Sequence, residues 1–174
     1  MKTNPDSHHR RSIRLRGYDY SLNGAYFVTL CIHHHECLLG EISQNEMVLS
    51  AAGGMVAQQW EALPQRFSAL QLDEFIIMPN HIHGILVFDN AADNLSKLTL
   101  GNIVGAFKSI TTHEYINGVK EQHWQPFDKK FWQRNYFEHI IRNEESLNQV
   151  REYIIHNPAN WPQDENNPLI YNAK

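Results

Sequence analysis

The spacing of apolar residues changes period several times along this chain, and each change marks an element. Ala25 to Ile32 is dense in aromatic and β-branched residues, which predicts a strand. Glu41 to Ser50 predicts a short hairpin. From Ala51 the period lengthens: Met55, Val56, Gln59, Trp60 and Leu63 fall at helical spacing, and Pro64 is expected to close that helix. Gln71 to Met78 and His81 to Phe88 return to strand character, with Pro79-Asn80 as the turn between them. Beyond a loop at Asn90 to Asn94, Leu100, Ile103, Val104, Phe107, Ile110 and Thr111 trace the apolar stripe of a second helix, with Lys108 on its polar side. Gly118 to Pro126 predicts a loop and Phe131 to Ile141 the last strand. A final helix follows. Asn143 suits its N-cap, Glu144 and Glu145 its first turn, and Leu147, Val150, Ile154 and Ile155 its apolar stripe, and Pro158 is expected to stop it.

Strand, helix, strand, strand, helix, strand, helix is the order of an α+β fold. It predicts a ferredoxin-like β-α-β-β-α-β antiparallel sheet with an appended C-terminal helix, in which the first and third strands are central. A length of 174 residues with 42% hydrophobic content suits one globular core. We therefore expect a basic, flexible arm over residues 1–16, a single domain over 17–161, and an acidic, Asn-rich tail over 162–174 that is either loose or folded over the active site. The two cysteines make no disulfide framework, no apolar stretch follows Met1-Lys2, and no run is long enough to span a bilayer. A reduced, cytoplasmic setting away from membranes is the expectation.

Chemistry enters at His81-Ile82-His83. On a strand, alternate side chains share a face, so the two imidazoles can grip one ion while Ile82 points into packing. Two ligands alone do not make a catalytic metal site, and a polar His pair on a half-exposed strand binds nothing. On the final helix Tyr153 and Asn157 are four residues apart and project together. Asn157 offers an amide oxygen acceptable to Mg²⁺ or Mn²⁺, and Tyr153 a phenol able to act as nucleophile. The run Cys31, His33, His34, His35 and Cys37 lacks the second half of a zinc motif, and Cys31 is expected to pack within its strand. His139 could approach a metal or be an ordinary satisfied histidine, His156 reads as a rim residue, and Trp60, Trp132 and Trp161 read as core before base-stacking platforms.

The formal net charge of -4 gives no general affinity for nucleic acid, yet basic residues gather at Arg10, Arg11, Arg14 and Arg16 and at Lys129, Lys130 and Arg134. Such clusters fit local phosphate contacts or simple solvation.

Together these residues resemble the REP-associated tyrosine transposases, relatives of the small IS200-like HUH transposases. The resemblance runs in order through Arg14-Leu15-Arg16-Gly17-Tyr18-Asp19-Tyr20 with Ala25-Tyr26-Phe27-Val28-Thr29, Leu72-Asp73-Glu74-Phe75-Ile76-Ile77-Met78-Pro79-Asn80-His81-Ile82-His83, and Phe131 to Arg142. It implies the HUH endonuclease fold, Tyr153 as catalytic nucleophile, and a Mg²⁺ or Mn²⁺ ion held by His81, His83 and Asn157. It also implies cleavage and rejoining of single-stranded DNA beside palindromic REP-type hairpins through a 5'-phosphotyrosine, by a monomer or a homodimer. Arg11, Arg14, Arg16, Lys108 and Arg134 become the expected DNA contacts. Two alternatives stand beside this reading: a palindrome-binding protein without cleavage, and a histidine-triad phosphate-ester hydrolase. The latter needs His-x-His-x-His, and position 85 is Ile.

Overall fold

In the computed structural model, which describes residues 24–88 and 99–171, the chain runs through β1 (Gly24–Cys31), β2 (Gly40–Ser43), β3 (Glu46–Leu49), α1 (Ala51–Glu61), α2 (Leu63–Arg66), β4 (Leu70–Met78), β5 (His81–Phe88), α3 (Leu100–Gln122), β6 (Phe137–Ile141), α4 (Glu144–Asn160) and α5 (Pro168–Tyr171). Four strands form one antiparallel sheet in the order β4-β5-β1-β6, and β2 and β3 form a separate hairpin. The fold is α+β with the expected ferredoxin-like order, and β1 and β5 lie at its centre.

The two central strands are buried on both faces, and their alternation sends different chemistry each way. Tyr26, Val28 and Leu30 of β1 join Ile82, Leu86 and Phe88 of β5 in the main core, beneath Val56 and Trp60 of α1 and Ile103 and Phe107 of α3. Trp60 lies so close to the strand that a Cβ at Gly84 would stand 2.4 Å from its ring, so glycine is the residue that admits the indole. On the other face, Phe27 and Ile85 meet Ile141 of β6 and Ile154 of α4 in a small second cluster, with the partly buried Ala25, Ile76, Val87, Leu147 and Val150 packed against it. Thr29 and His83, paired across the strands, share that second face.

Helix ends follow the sequence where side chains cap them and depart from it where packing intervenes. Asn143 accepts from the backbone N–H of Ser146 at 2.8 Å, as an N-cap should. Pro64 does not close α1. It falls in the first turn of α2, where its missing N–H costs nothing. The expected loop from Gly118 is helix as far as Gln122, because Gly118 is a packing glycine: a Cβ there would meet the ring of Trp124 at 2.2 Å. His123 then ends α3 in the left-handed conformation. Pro158 lies inside α4, which continues to Asn160, since a proline in the last turn removes only its own hydrogen bond. The last strand is shorter than expected. Phe131 and Trp132 turn into the main core, and the ammonium of Lys108 takes the carbonyls of Gln133, Arg134 and Asn135 at 2.8, 3.5 and 3.2 Å, which holds that segment off the sheet. Among the described residues no helix is long and apolar enough to cross a membrane.

Candidate active site

His81 and His83 project from β5 onto the face that α4 covers, with relative exposures of 0% and 2%. Their Nε2 atoms stand 3.0 Å apart. The orientation of His81 is fixed by Asn80, whose Nδ2 donates to the carbonyls of His35 at 2.9 Å and Asn166 at 2.8 Å. Its Oδ1 is therefore the atom that meets His81 Nδ1 at 2.8 Å, so that nitrogen carries the proton and the Nε2 lone pair faces inward. His83 Nδ1 instead meets the hydroxyl of Thr29 at 2.8 Å. A hydroxyl both donates and accepts, so His83 can either donate from Nε2 to His81 or turn a second lone pair toward the same point. Burial, with His35 adding to it, pushes His81 down to about 3; burial and then the neighbouring His81 push His83 well below the usual imidazole range, against the opposing charge of Asp164. Both rings are neutral at physiological pH, as ligands must be.

Helix α4 reaches this face through two anchors. Ile154, 1% exposed, enters the second cluster, worth about 1.5–3 kcal/mol for a fully buried aliphatic chain. Arg151 makes a two-point contact with Asp73 at 2.8 and 2.6 Å, and Asp73 sits where β4 slips register between Leu72 and Phe75. That irregularity aims the carboxylate at α4. With the helix so placed, the Tyr153 hydroxyl stands 3.4 Å from His83 Nε2, and its ring is edge-on to Phe27 at 5.9 Å. Tyr153 remains 47% exposed. Its phenol is pushed above the ordinary tyrosine value, first by burial and then by the charge of Asp164, while a hydrogen bond with Asn157 opposes the rise.

Asp164 is the residue that sequence reading missed. The chain after α4 turns back over the site, and Asp164 Oδ1 accepts from the backbone and side-chain N–H groups of Asn166 at 2.7 and 3.0 Å. Its Oδ2 lies 3.7 Å from His81 Nε2 with the side chain 5% exposed. Among the described residues, His81, His83 and Asp164 form a trio whose ligand atoms all lie within 4.8 Å of one another. The only advance signal was a carboxylate in a tail that could fold over the site.

These groups fit a divalent cation. Two ligands at adjacent positions of an octahedral ion with bonds of about 2.1 Å are about 3.0 Å apart, which is the separation of the two imidazole nitrogens. Asn157 Oδ1 is a buried oxygen with no hydrogen-bond partner, on a side chain only 2% exposed, beside Tyr153. A cation would satisfy it. Oxygen and imidazole donors in this mixture suit Mg²⁺ or Mn²⁺.

The remaining expected residues divide. Arg11, Arg14 and Arg16 lie outside the described residues. Arg134 is exposed, whereas Lys108, expected along a DNA path, turns its ammonium onto protein carbonyls and is pushed down to about 8 by burial. Cys31 packs beside Asn166 and burial raises its thiol to about 12, and the run from Cys31 to Cys37 contributes nothing to the ligand trio. His139 is exposed, while Trp60 and Trp132 are core and Trp161 lies 6.0 Å from His81.

Residues 58–157 match the family model described as IS200-like transposase. An uncharacterized protein of Haemophilus influenzae is 41% identical over 180 residues, covering 94% of this chain and 96% of its own. A REP-associated tyrosine transposase, solved bound to a REP hairpin, shares the fold with a TM-score of 0.59 at 20% identity, over 86% of this chain and 73% of that one. A putative transposase from Deinococcus radiodurans aligns at 18% identity over 83% and 96% of the two chains, with a TM-score of 0.48. A family model that spans more than half of the 174 residues, and both histidines and the tyrosine of the site, makes this chain a member of the IS200-like transposase family.

Proposed function

We propose that the protein is a metal-dependent endonuclease and strand transferase acting on single-stranded DNA beside palindromic, REP-type hairpins. The observation that carries this reading is the position of the Tyr153 hydroxyl, 3.4 Å from His83 Nε2 at the open edge of a buried imidazole and carboxylate cluster. Tyr153 is the nucleophile. Its oxygen bonds to phosphorus as the bond from phosphorus to the 3' oxygen breaks, leaving a 5'-phosphotyrosine and a 3'-hydroxyl that takes up a proton. The phenol proton leaves through the exposed side of the ring. Attack by a second 3'-hydroxyl on the phosphotyrosine reverses the step and joins strands without a further energy source.

His81, His83 and Asn157 would hold Mg²⁺ or Mn²⁺, with Asp164 as an additional oxygen ligand. A cation there would neutralise charge on the scissile phosphate as the phenolate attacks. The chain's own part is orientation: Asn80 and Thr29 aim the two imidazoles, and Asp73, through Arg151, sets the height of α4 over them. Arg134 and the arm residues Arg11, Arg14 and Arg16 supply phosphate contacts, and Lys108 acts indirectly by holding the segment that carries Arg134. Because one chain carries histidines, tyrosine and Asn157 together, a monomer suffices for cleavage. The family and the hairpin-bound structure of the REP-associated relative support the choice of substrate.

The test is covalent capture. Labelled single-stranded hairpins from the protein's own genome, incubated with Mg²⁺ or Mn²⁺, should give a denaturation-resistant adduct that disappears with chelator and in Tyr153→Phe. Tight hairpin binding with no adduct under any of these metals would replace strand transfer with a binding role.

A further inference from the structure

A cavity of about 590 Å³ opens directly beside Tyr153 and His83, between the second face of the sheet, the segment 133–137 and the exposed side of α4. Its composition is unlike that of a phosphate site. Phe27 forms its floor and Phe137 its wall, and among the described residues no Arg or Lys lines it, while Glu165 stands at its rim. Phosphate oxygens find no basic side chain among the described residues there. A neutral, flat, aromatic group does.

Two features of the lining point to such a group. Phe137 is 50% exposed on β6, the edge strand, with its ring centroid 6.2 Å from that of Phe27 and roughly at right angles to it. A large apolar ring left half exposed beside the reaction centre is a stacking surface without an occupant among the described residues. Beside it, the side-chain amides of Asn135 and Gln149 make no hydrogen bond among the described residues, and both residues are exposed. Each offers one acceptor and two donors, the set that reads the edge of a nucleobase. The carbonyl of Asn135 is meanwhile held by Lys108 at 3.2 Å, so the wall that presents this amide is fixed in place.

We infer that this cavity takes the unpaired base of a nucleotide adjoining the scissile phosphate, stacked on Phe137 and read at its edge by Asn135 and Gln149. The inference rests on the strand-transfer reading above and deepens it. Splaying a base out of the strand and stacking it on an aromatic side chain is the usual way single-stranded nucleic acid is held at a defined register. Here it would place one phosphate, and not its neighbours, under Tyr153.

The first experiment follows adduct formation at subsaturating hairpin DNA, with abasic sites placed singly on each side of the cleavage position. One abasic substrate should lose about 5- to 150-fold, the range that one stacked base supplies. Phe137→Ala should lose a similar factor on intact DNA and little more on that abasic substrate, because both changes remove the same contact. Equal losses for Phe137→Ala on intact and abasic DNA, or no loss from either abasic site, would overturn the pocket while leaving the nucleophile assignment standing. A second readout needs no cleavage. 2-Aminopurine scanned through the unpaired segment should be quenched at one position on binding to Tyr153→Phe, and that quenching should vanish when Phe137→Ala is added. Absence of a position quenched through Phe137 sinks the inference by itself, whereas absence of any adduct in the wild-type protein sinks the strand-transfer reading.

Discussion

The two faces of β5 carry the same strand and opposite tasks. Ile82 and Leu86 point into a large core shared with α1 and α3, where shape decides everything. His81 and His83 point to the face that α4 covers, where only a small apolar cluster, with Phe27, Ile85, Ile141 and Ile154 as its buried members, lies beside the polar groups. On the proposed reading, stability and activity are separated by the period of the strand. A change of one residue along β5 crosses from one account to the other.

The sharpest way to break that separation is to truncate neighbours on opposite faces. His83→Ala should abolish the covalent adduct while the protein stays folded, since it removes a proposed ligand and the group beside Tyr153. Ile82→Ala should do the reverse: an unfolding free energy lower by about 2–5 kcal/mol, with adduct formation per folded molecule unchanged. Urea unfolding and covalent capture, run on both variants, settle it. If Ile82→Ala loses the adduct at temperatures where it is fully folded, the faces are coupled and the separation is wrong.

That division also explains which parts of the molecule were legible in the sequence. The shared face of His81 and His83, and of Tyr153 and Asn157, follows from fixed periods of strand and helix, so two-residue and four-residue spacings revealed them. The N-cap at Asn143 follows from a side chain and a backbone N–H three residues on. Asp164 did not show itself, because its approach to His81 depends on a return of the chain after α4, with no local period to announce it. Nor did Gly118. A glycine needed for the ring of Trp124 looks, in one dimension, like a glycine needed for a turn. Lys108 misled for the same reason: a cation on the polar side of a helix looks free until three carbonyls from another segment close on it.

Acid should separate the faces next. In metal-free protein the two imidazoles are held neutral by burial, His81 down to about 3 and His83 well below its ordinary value, while unfolded histidine protonates near the ordinary 6.5. Below that value the unfolded chain binds protons that the folded chain does not, so stability is full above about 6.5 and falls as pH drops. Each such histidine contributes a slope of up to about 1.4 kcal/mol per pH unit. Among the described residues, the core face presents no group that titrates in this range. Urea midpoints measured with chelator between pH 7 and pH 5 should therefore fall for wild type and fall less steeply for His83→Ala. Parallel slopes would mean that His83 is not the buried neutral group described.

The finest comparison lies within the site, between the two supports of its imidazoles. Asn80 is fixed by two carbonyls and allows His81 one tautomer, whereas the Thr29 hydroxyl rotates and allows His83 two. Asn80→Ala should therefore cost both metal and fold, because the carbonyls of His35 and Asn166 lose their donor, at about 1–3 kcal/mol for each buried group left unpaired. Thr29→Val keeps the shape and removes only the acceptor for His83 Nδ1. Its unfolding free energy should barely move, and its adduct formation should shift to about tenfold higher Mn²⁺, in the range typical of a lost partner behind a metal-bound histidine. Titrating Mn²⁺ against adduct yield for both variants checks this, since excess metal should restore Thr29→Val fully. A Thr29→Val protein that stays weak at saturating Mn²⁺ would show that the hydroxyl touches the DNA or the phenol, and that the support of His83 lies elsewhere.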